Sequence, residues 1–192
     1  MATQLRVAAF AGSLRRASYN RALLRAAREL APAGMTLDVV ALDDVPLYNE
    51  DVESAGDPPA VARLKEAVER ADGLLIATPE YNHGVSGVTK NAVDWLSRPP
   101  RRSVLDGKPV AVLGASPGIT GTARAQSQLR QALVFTNSPA MPQPEILVYR
   151  AGEKFDDQGR LVHDATRQYL GRFLAAFAAW IERLGQRRDE AG

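Results

Sequence analysis

The chain has 192 residues, 45% hydrophobic and 24% charged, with a formal net charge of +2, the balance of one soluble globular domain with room for a sizeable core. Its basic residues are spread rather than blocked, which argues against a nucleic-acid arm, and no stretch approaches the ~20 consecutive apolar residues of a membrane span. There is no cysteine, and the two histidines, His83 and His163, stand far apart, so disulfides, thiolate catalysis, zinc–thiolate sites and a paired-histidine metal centre are excluded.

A cytoplasmic protein is therefore expected, with a single domain over residues 1–187 and a disordered tail at 188–192. Leu5 to Ala11 reads as a buried strand. From Arg21 onward the chain reads as a helix, with Leu23, Leu24, Ala27 and Leu30 at helical spacing. Pro32 and Gly34 close that helix, and Met35 to Leu42 reads as a second strand. Asp43 to Pro59 holds six carboxylates with Pro46, Gly56, Pro58 and Pro59. A solvated surface loop fits it better than a calcium site, because the regular spacing of oxygen ligands is missing. Val61, Leu64 and Val68 mark the next helix, and Gly73 to Thr78 is a third strand stopped by Pro79. A polar loop, Glu80 to Gly84, leads to a helix from about Ser86 to Ser97. In that helix Asp94 and Arg98 stand i, i+4, and Trp95 is open to a core role. Pro109 to Ala115 is a fourth strand, followed by a small-residue loop (Ser116 to Thr122), a helix through Leu129 and Leu133, and a short strand at Ile146 to Val148. Phe155 to Leu161 reads as a hairpin tip. The last helix carries Leu170, Phe173, Leu174, Phe177, Ile181 and Leu184 as an apolar stripe.

Five apolar strands alternating with five helices predict an α/β protein with a doubly wound, five-stranded parallel sheet of order 2-1-3-4-5 and helices on both faces. In such sheets ligands bind beyond the carboxyl ends of the strands at the switch point. Gly12–Asn20, Pro79–Gly84 and Ser116–Thr122 all leave such ends, on strands that this order makes neighbours. The first of them joins a strand to a helix start, where free N–H groups favour anions. It also carries Ser13, Ser18, Asn20, Arg15 and Arg16. The stretch itself leaves two readings open: one phosphate monoester, or a turn with Ser18 as a simple helix cap. It lacks the Gly-Lys-Ser/Thr ending of a triphosphate loop and the three glycines of a dinucleotide loop. Gly114-Ala115-Ser116-Pro117-Gly118 matches the nucleophile elbow of a serine hydrolase, with His163 downstream. However, Pro117 has no N–H to give an oxyanion hole, so hydrolysis through Ser116 is the remote alternative.

Together the three loops resemble the NADPH-dependent FMN reductase family, flavodoxin-like proteins that include quinone, chromate and azo-dye reductases. Gly12-Ser13-Leu14-Arg15 with Ser18 and Asn20 is similar to its first signature. Pro79-Glu80-Tyr81-Asn82-His83, followed by Lys90-Asn91-Ala92 and Asp94-Trp95, is similar to its second, and Ser116-Pro117-Gly118 with Arg124-Ala125-Gln126 to its third. Leu47 to Asp51 also resembles a family loop near the pocket. Gly84 and Ser86 stand where the family usually has Ser and Pro, and Ile119 and Thr122 replace glycines.

The resemblance implies bound FMN, with its phosphate on Ser13, Arg15, Ser18 and Asn20 and with Tyr19 beside them. Pro79, Glu80, Tyr81, Asn82 and His83 would border the isoalloxazine ring, and Ser116 and Gly118 its other side. It also implies NADPH or NADH as hydride donor and ping-pong transfer to a small acceptor such as a quinone, free flavin, azo dye or chromate. No catalytic side chain and no metal are expected, since the flavin carries the chemistry. A homodimer or homotetramer, with the Asn91–Arg98 helix near the contact, is implied as well, and no nucleic-acid or membrane partner. An electron carrier that does not oxidise NADPH is the main alternative; carriers of that kind tend to be acidic, whereas this chain has a pI near 9.1.

Overall fold

The computed structural model describes residues 4–189. Strand β1 (Leu5–Ala11) is buried at every position but Arg6, as a strand covered on both faces must be. Its alternating side chains feed two cores. Val7 and Ala9 join Leu23 and Leu24 of helix α1 (Tyr19–Glu29) and Phe173 and Phe177 of helix α6 (Asp164–Asp189). Ala8 and Phe10 point the other way, to Leu64 of helix α3 (Pro59–Glu69), Val93 of helix α4 (Gly87–Leu96) and Leu129 of helix α5 (Ala123–Phe135).

The remaining sheet strands are β2 (Met35–Val39), β3 (Gly73–Ala77), β6 (Val110–Ala115) and β7 (Ile146–Val148), and the parallel order is β2-β1-β3-β6-β7. Counted along this sheet alone, the order is the expected 2-1-3-4-5. The two strand numbers left out, β4 (Glu80–Tyr81) and β5 (Gly84–Val85), form a small antiparallel hairpin where the sequence predicts only a polar loop. Asn82 and His83 take the turn with φ of 49° and 61°, the left-handed pair that a two-residue hairpin turn requires.

Four other boundaries move. Helix α1 starts at Tyr19 rather than Arg21, because Ser18 is its N-cap. Strand β2 ends at Val39, short of Leu42. The acidic surface loop contains one helical turn, α2 (Glu50–Ser54), capped by Asn49, whose side chain accepts from Asp51 N at 2.9 Å. At the other end α6 runs to Asp189, so residues 188 and 189 of the expected tail are helical, and 190–192 lie outside the described residues. Trp95 is core, fully buried, with its indole N–H on Pro46 O. Asp94 pairs with Lys90 at 2.6 Å rather than with Arg98.

Candidate cofactor site at the carboxyl end of the sheet

The adjacent strands β1, β3 and β6 release their loops side by side. These loops enclose a small pocket of about 40 Å³, lined by Ser13, Arg15, Ser18, Tyr19, Asn20, Pro79, Glu80, Tyr81, Ala115, Ser116 and Pro117. For scale, one water occupies ~30 Å³ of liquid and a drug-sized ligand site runs to ~300–1,000 Å³. The enclosed part therefore has room for a compact group such as a phosphate and too little for a flat ring system.

Loop one supplies donors. Among the described residues, no backbone N–H from Ser13 to Ala17, nor those of Tyr19 and Asn20, donates to a protein group. Ser18 Oγ accepts from Arg21 N at 3.3 Å and keeps its own proton to donate. The cap reading therefore holds, and the cap leaves the Ser18 hydroxyl proton and the loop N–H groups available. Gly12 lets the loop pass close to α4: a Cβ there would sit 1.7 Å from Thr89 Oγ1. Ser86, at the position where the family usually has Pro, donates to Gly12 O at 2.7 Å, accepts from Thr89 N at 3.1 Å and so caps α4. The Ser13 carbonyl accepts from Arg21 Nε at 2.9 Å, and Arg21 Nη2 lies 2.7 Å from both oxygens of Asp43.

Loops two and three are fixed by side chains rather than by long ladders. Glu80, its side chain 7% exposed, accepts from Arg124 N at 2.9 Å and Ala125 N at 3.1 Å. Its carboxylate thus caps α5, whose own N-cap, Thr122, makes no side-chain capping bond and instead accepts from Gln126 Nε2 at 3.0 Å. Gln128 Oε1 accepts from Val85 N at 3.0 Å, tying the hairpin to the same helix. On loop three, Ser116 Oγ accepts from Gly118 N at 3.1 Å, and the loop is bound to the chain after β7 through Arg150 N on Gly118 O and Ala151 N on Ser116 O.

Residues 5–153 match the family described as NADPH-dependent FMN reductase. The chain belongs to that family. It is 48% identical over 184 residues to an NAD(P)H-dependent FMN reductase of Pseudomonas aeruginosa, covering 96% of this chain and 99% of the relative. It is 46% identical over 176 residues to a quinone reductase of Pseudomonas putida, covering 92% and 94%. Among solved structures it is similar to FerB, a flavoenzyme NAD(P)H:(acceptor) oxidoreductase of Paracoccus denitrificans, with a TM-score of 0.85, 37% identity, and coverage of 93% and 98%. The chain is accordingly an oxidoreductase that uses FMN and NAD(P)H.

Among the site residues expected from the resemblance to the FMN reductase family, nine line the pocket and three do not. Asn82 and His83 stand at the exposed hairpin turn, and Gly118 sits one step back, holding Ser116. Two of the nine have other work. Asn20 gives its amide to the main chain of Ala115, donating to the carbonyl at 3.0 Å and accepting from the N–H at 2.9 Å, so it is a strut between loops one and three. Glu80 is the α5 cap. Tyr19 packs its ring on Phe155, with centroids 5.5 Å apart. Ala115, Pro117, Arg21, Asp43 and Gln128 were not anticipated. Of these, Arg21 carried a signal: a cation in the first turn of a helix with no acidic residue there opposes the macrodipole.

The hydrolase arrangement does not form. Ser116 is engaged with Gly118, while His163 Nδ1 is 2.8 Å from Thr166 Oγ1 at the start of α6. The groups present fit a single phosphate: unpaired N–H groups at a helix start, two buried hydroxyls and the Arg15 guanidinium, with no side chain filling the space.

Proposed function

We propose that the phosphate of FMN binds in the pocket at Ser13, Arg15, Ser18 and the N-terminus of α1, and that the ring lies on the rim between Pro79–His83 and Ser116–Gly118. The observation that carries this reading is the run of N–H groups from Ser13 to Ala17 without a protein partner, at a junction where helix and loop dipoles favour an anion. When bound, FMN takes a hydride from NAD(P)H and passes the electrons to an acceptor. The protein's part is to hold the phosphate, to keep the three loops in register through Asn20, Glu80 and Gln128, and to leave one side of the ring open to both substrates in turn. A shared open face supports ping-pong order. Quinones are the favoured acceptors, with free flavin, azo dyes and chromate as further acceptors.

We also propose a cytoplasmic homodimer or homotetramer. Among the described residues, no helix is long and apolar enough to cross a membrane. Away from the strand ends lies a wider hollow of about 890 Å³, lined among others by Tyr48, Glu53, Lys65, Glu66, Arg98 and Arg102. It mixes both charge signs, and Arg98 Nε is buried there without a hydrogen-bond partner. Such a surface suits a second copy of the same chain, which presents both signs in return.

The test is direct. The purified protein should show a flavin spectrum, turn over NADPH when a quinone is supplied, and give parallel initial-rate lines when both substrates are varied. A colourless protein that neither binds FMN nor oxidises NADPH overturns the reading; bound FMN without NADPH oxidation makes the chain an electron carrier. Replacing Arg15 and Ser18 together by Ala should weaken FMN by at least about tenfold, since charge-assisted partners of the phosphate are lost, and unchanged affinity in a titration places the phosphate elsewhere.

A further inference from the structure

Arg21 occupies an unfavourable position unless it does something local. It lies in the first turn of α1, where a cation opposes the helix dipole, and its ion pair with Asp43 is part-exposed, with side-chain exposures of 30% and 45%. Pairs of that kind contribute little to stability. What the pair does have is geometry. One nitrogen, Nη2, is fixed at 2.7 Å from both Asp43 oxygens, and Nε is then aimed at Ser13 O at 2.9 Å. Peptides are planar and trans, so the carbonyl of Ser13 and the N–H of Leu14 point in opposite directions. With the carbonyl held on Arg21, the Leu14 N–H is turned away from the guanidinium. That N–H has no protein partner among the described residues. Without the clamp, the same peptide could rotate and present its oxygen, a repulsive group, to a bound anion.

We infer that Arg21, anchored by Asp43, is a positioning residue: it fixes the Ser13–Leu14 peptide so that the loop offers N–H groups rather than a carbonyl to the FMN phosphate. The inference rests on the placement of the phosphate proposed above. Arg21 acts through the backbone and Asp43 acts through Arg21. The clamp therefore bears on the phosphate end of the ligand alone.

The experiment compares FMN with riboflavin, which lacks the phosphate, by titration of the full-length protein freed of flavin. The wild type should prefer FMN. A wild type without that preference overturns the phosphate placement itself, and the inference with it. Given the preference, Arg21→Ala should reduce it by about tenfold, the scale of one charge-assisted group, while leaving riboflavin affinity unchanged. A merely structural role would weaken both ligands alike, and that result overturns the inference. Arg21→Lys, which keeps the charge but loses the fork, should fall between Arg21→Ala and wild type. Asp43→Asn separates positioning from direct attraction. If Arg21 positions the loop, losing its anchor lowers the preference for FMN. If Arg21 instead attracts the phosphate as a free charge, removing the nearby carboxylate raises the preference, and that outcome rejects the proposal.

Discussion

Gly12 has no side chain because Thr89 already occupies the place where one would stand. A Cβ would fall 1.7 Å from Thr89 Oγ1 and 3.0 Å from Ser86 Oγ, in a buried chain of hydroxyls that also includes Thr78, 3.1 Å from Thr89. Gly12→Ala should therefore destabilise the fold by about 1–3 kcal/mol, the usual range for overpacking, and a urea transition at an unchanged midpoint would contradict it. At this scale the sequence was partly legible. The residue types of Gly12–Asn20 pointed equally to an anion site and to a helix cap, because hydroxyls, a guanidinium and a strand-to-helix turn act locally, and the Ser18 cap is present. Asn20 and Glu80 line the pocket as expected, but their structural bonds could not be read, because the partners arrive from far along the chain: Ala115 is 95 residues from Asn20, and Arg124 is 44 from Glu80. Nothing near either residue in sequence indicates that its polar atoms are already committed.

Among the elements, strong periodicity was the dependable guide and short irregular pieces were not. The five sheet strands and the long helices followed from apolar runs and stripes, which reflect burial on two faces or one. The β4–β5 hairpin did not, since two residues per strand are too few for any alternation and the turn uses Asn82 and His83 rather than glycine. Its stability comes from outside, from Glu80 and Gln128 holding it to α5. The Phe155–Leu161 segment was read correctly as a tip, closed by a bridge between those two residues. Asp156 organises it. Hydrogen bonds from the Arg160 backbone, then from the Arg160 side chain, and the charge of that guanidinium hold the Asp156 carboxyl below its usual value of 3.8. A carboxylate with a depressed folded-state pKa contributes stability that is fully present above the unfolded value and is lost as pH falls through the folded one. The segment should accordingly loosen only below about pH 4, the unfolded carboxylate value. Asp156→Asn should flatten that part of the stability–pH curve. An equally steep acid loss in the variant would assign it to other carboxylates.

For the whole molecule, the order of the sheet decides where chemistry can happen. Because β1, β3 and β6 are neighbours, three loops distant in sequence meet at one end, and the opposing faces are left to helices. The wider hollow sits on the α3–α4 side, apart from this crevice, and it is lined by side chains of both charge signs. Arg98 lies with its guanidinium 5.5 Å from the Tyr48 ring centre, and Tyr48 itself donates to Glu53 at 2.7 Å. Arg98→Glu would set a carboxylate among Glu50, Glu53 and Glu66. On the oligomer reading the variant should sediment as a smaller species than the wild type while keeping its flavin; an unchanged mass would move the contact to another face.

The enclosed pocket of about 40 Å³ admits one end of a long ligand and grips little else. A handle of that kind has a chemical rival in every phosphate-buffered solution, because inorganic phosphate is the handle without the load. By mass action, a competitor at concentration c raises the apparent dissociation constant by the factor 1 + c/Ki. Flavin occupancy should therefore fall as phosphate rises, and chloride at equal ionic strength should leave more flavin bound. Riboflavin, gripped only by its ring, should ignore the difference. Dialysis of the yellow protein against the two salts in parallel would measure it.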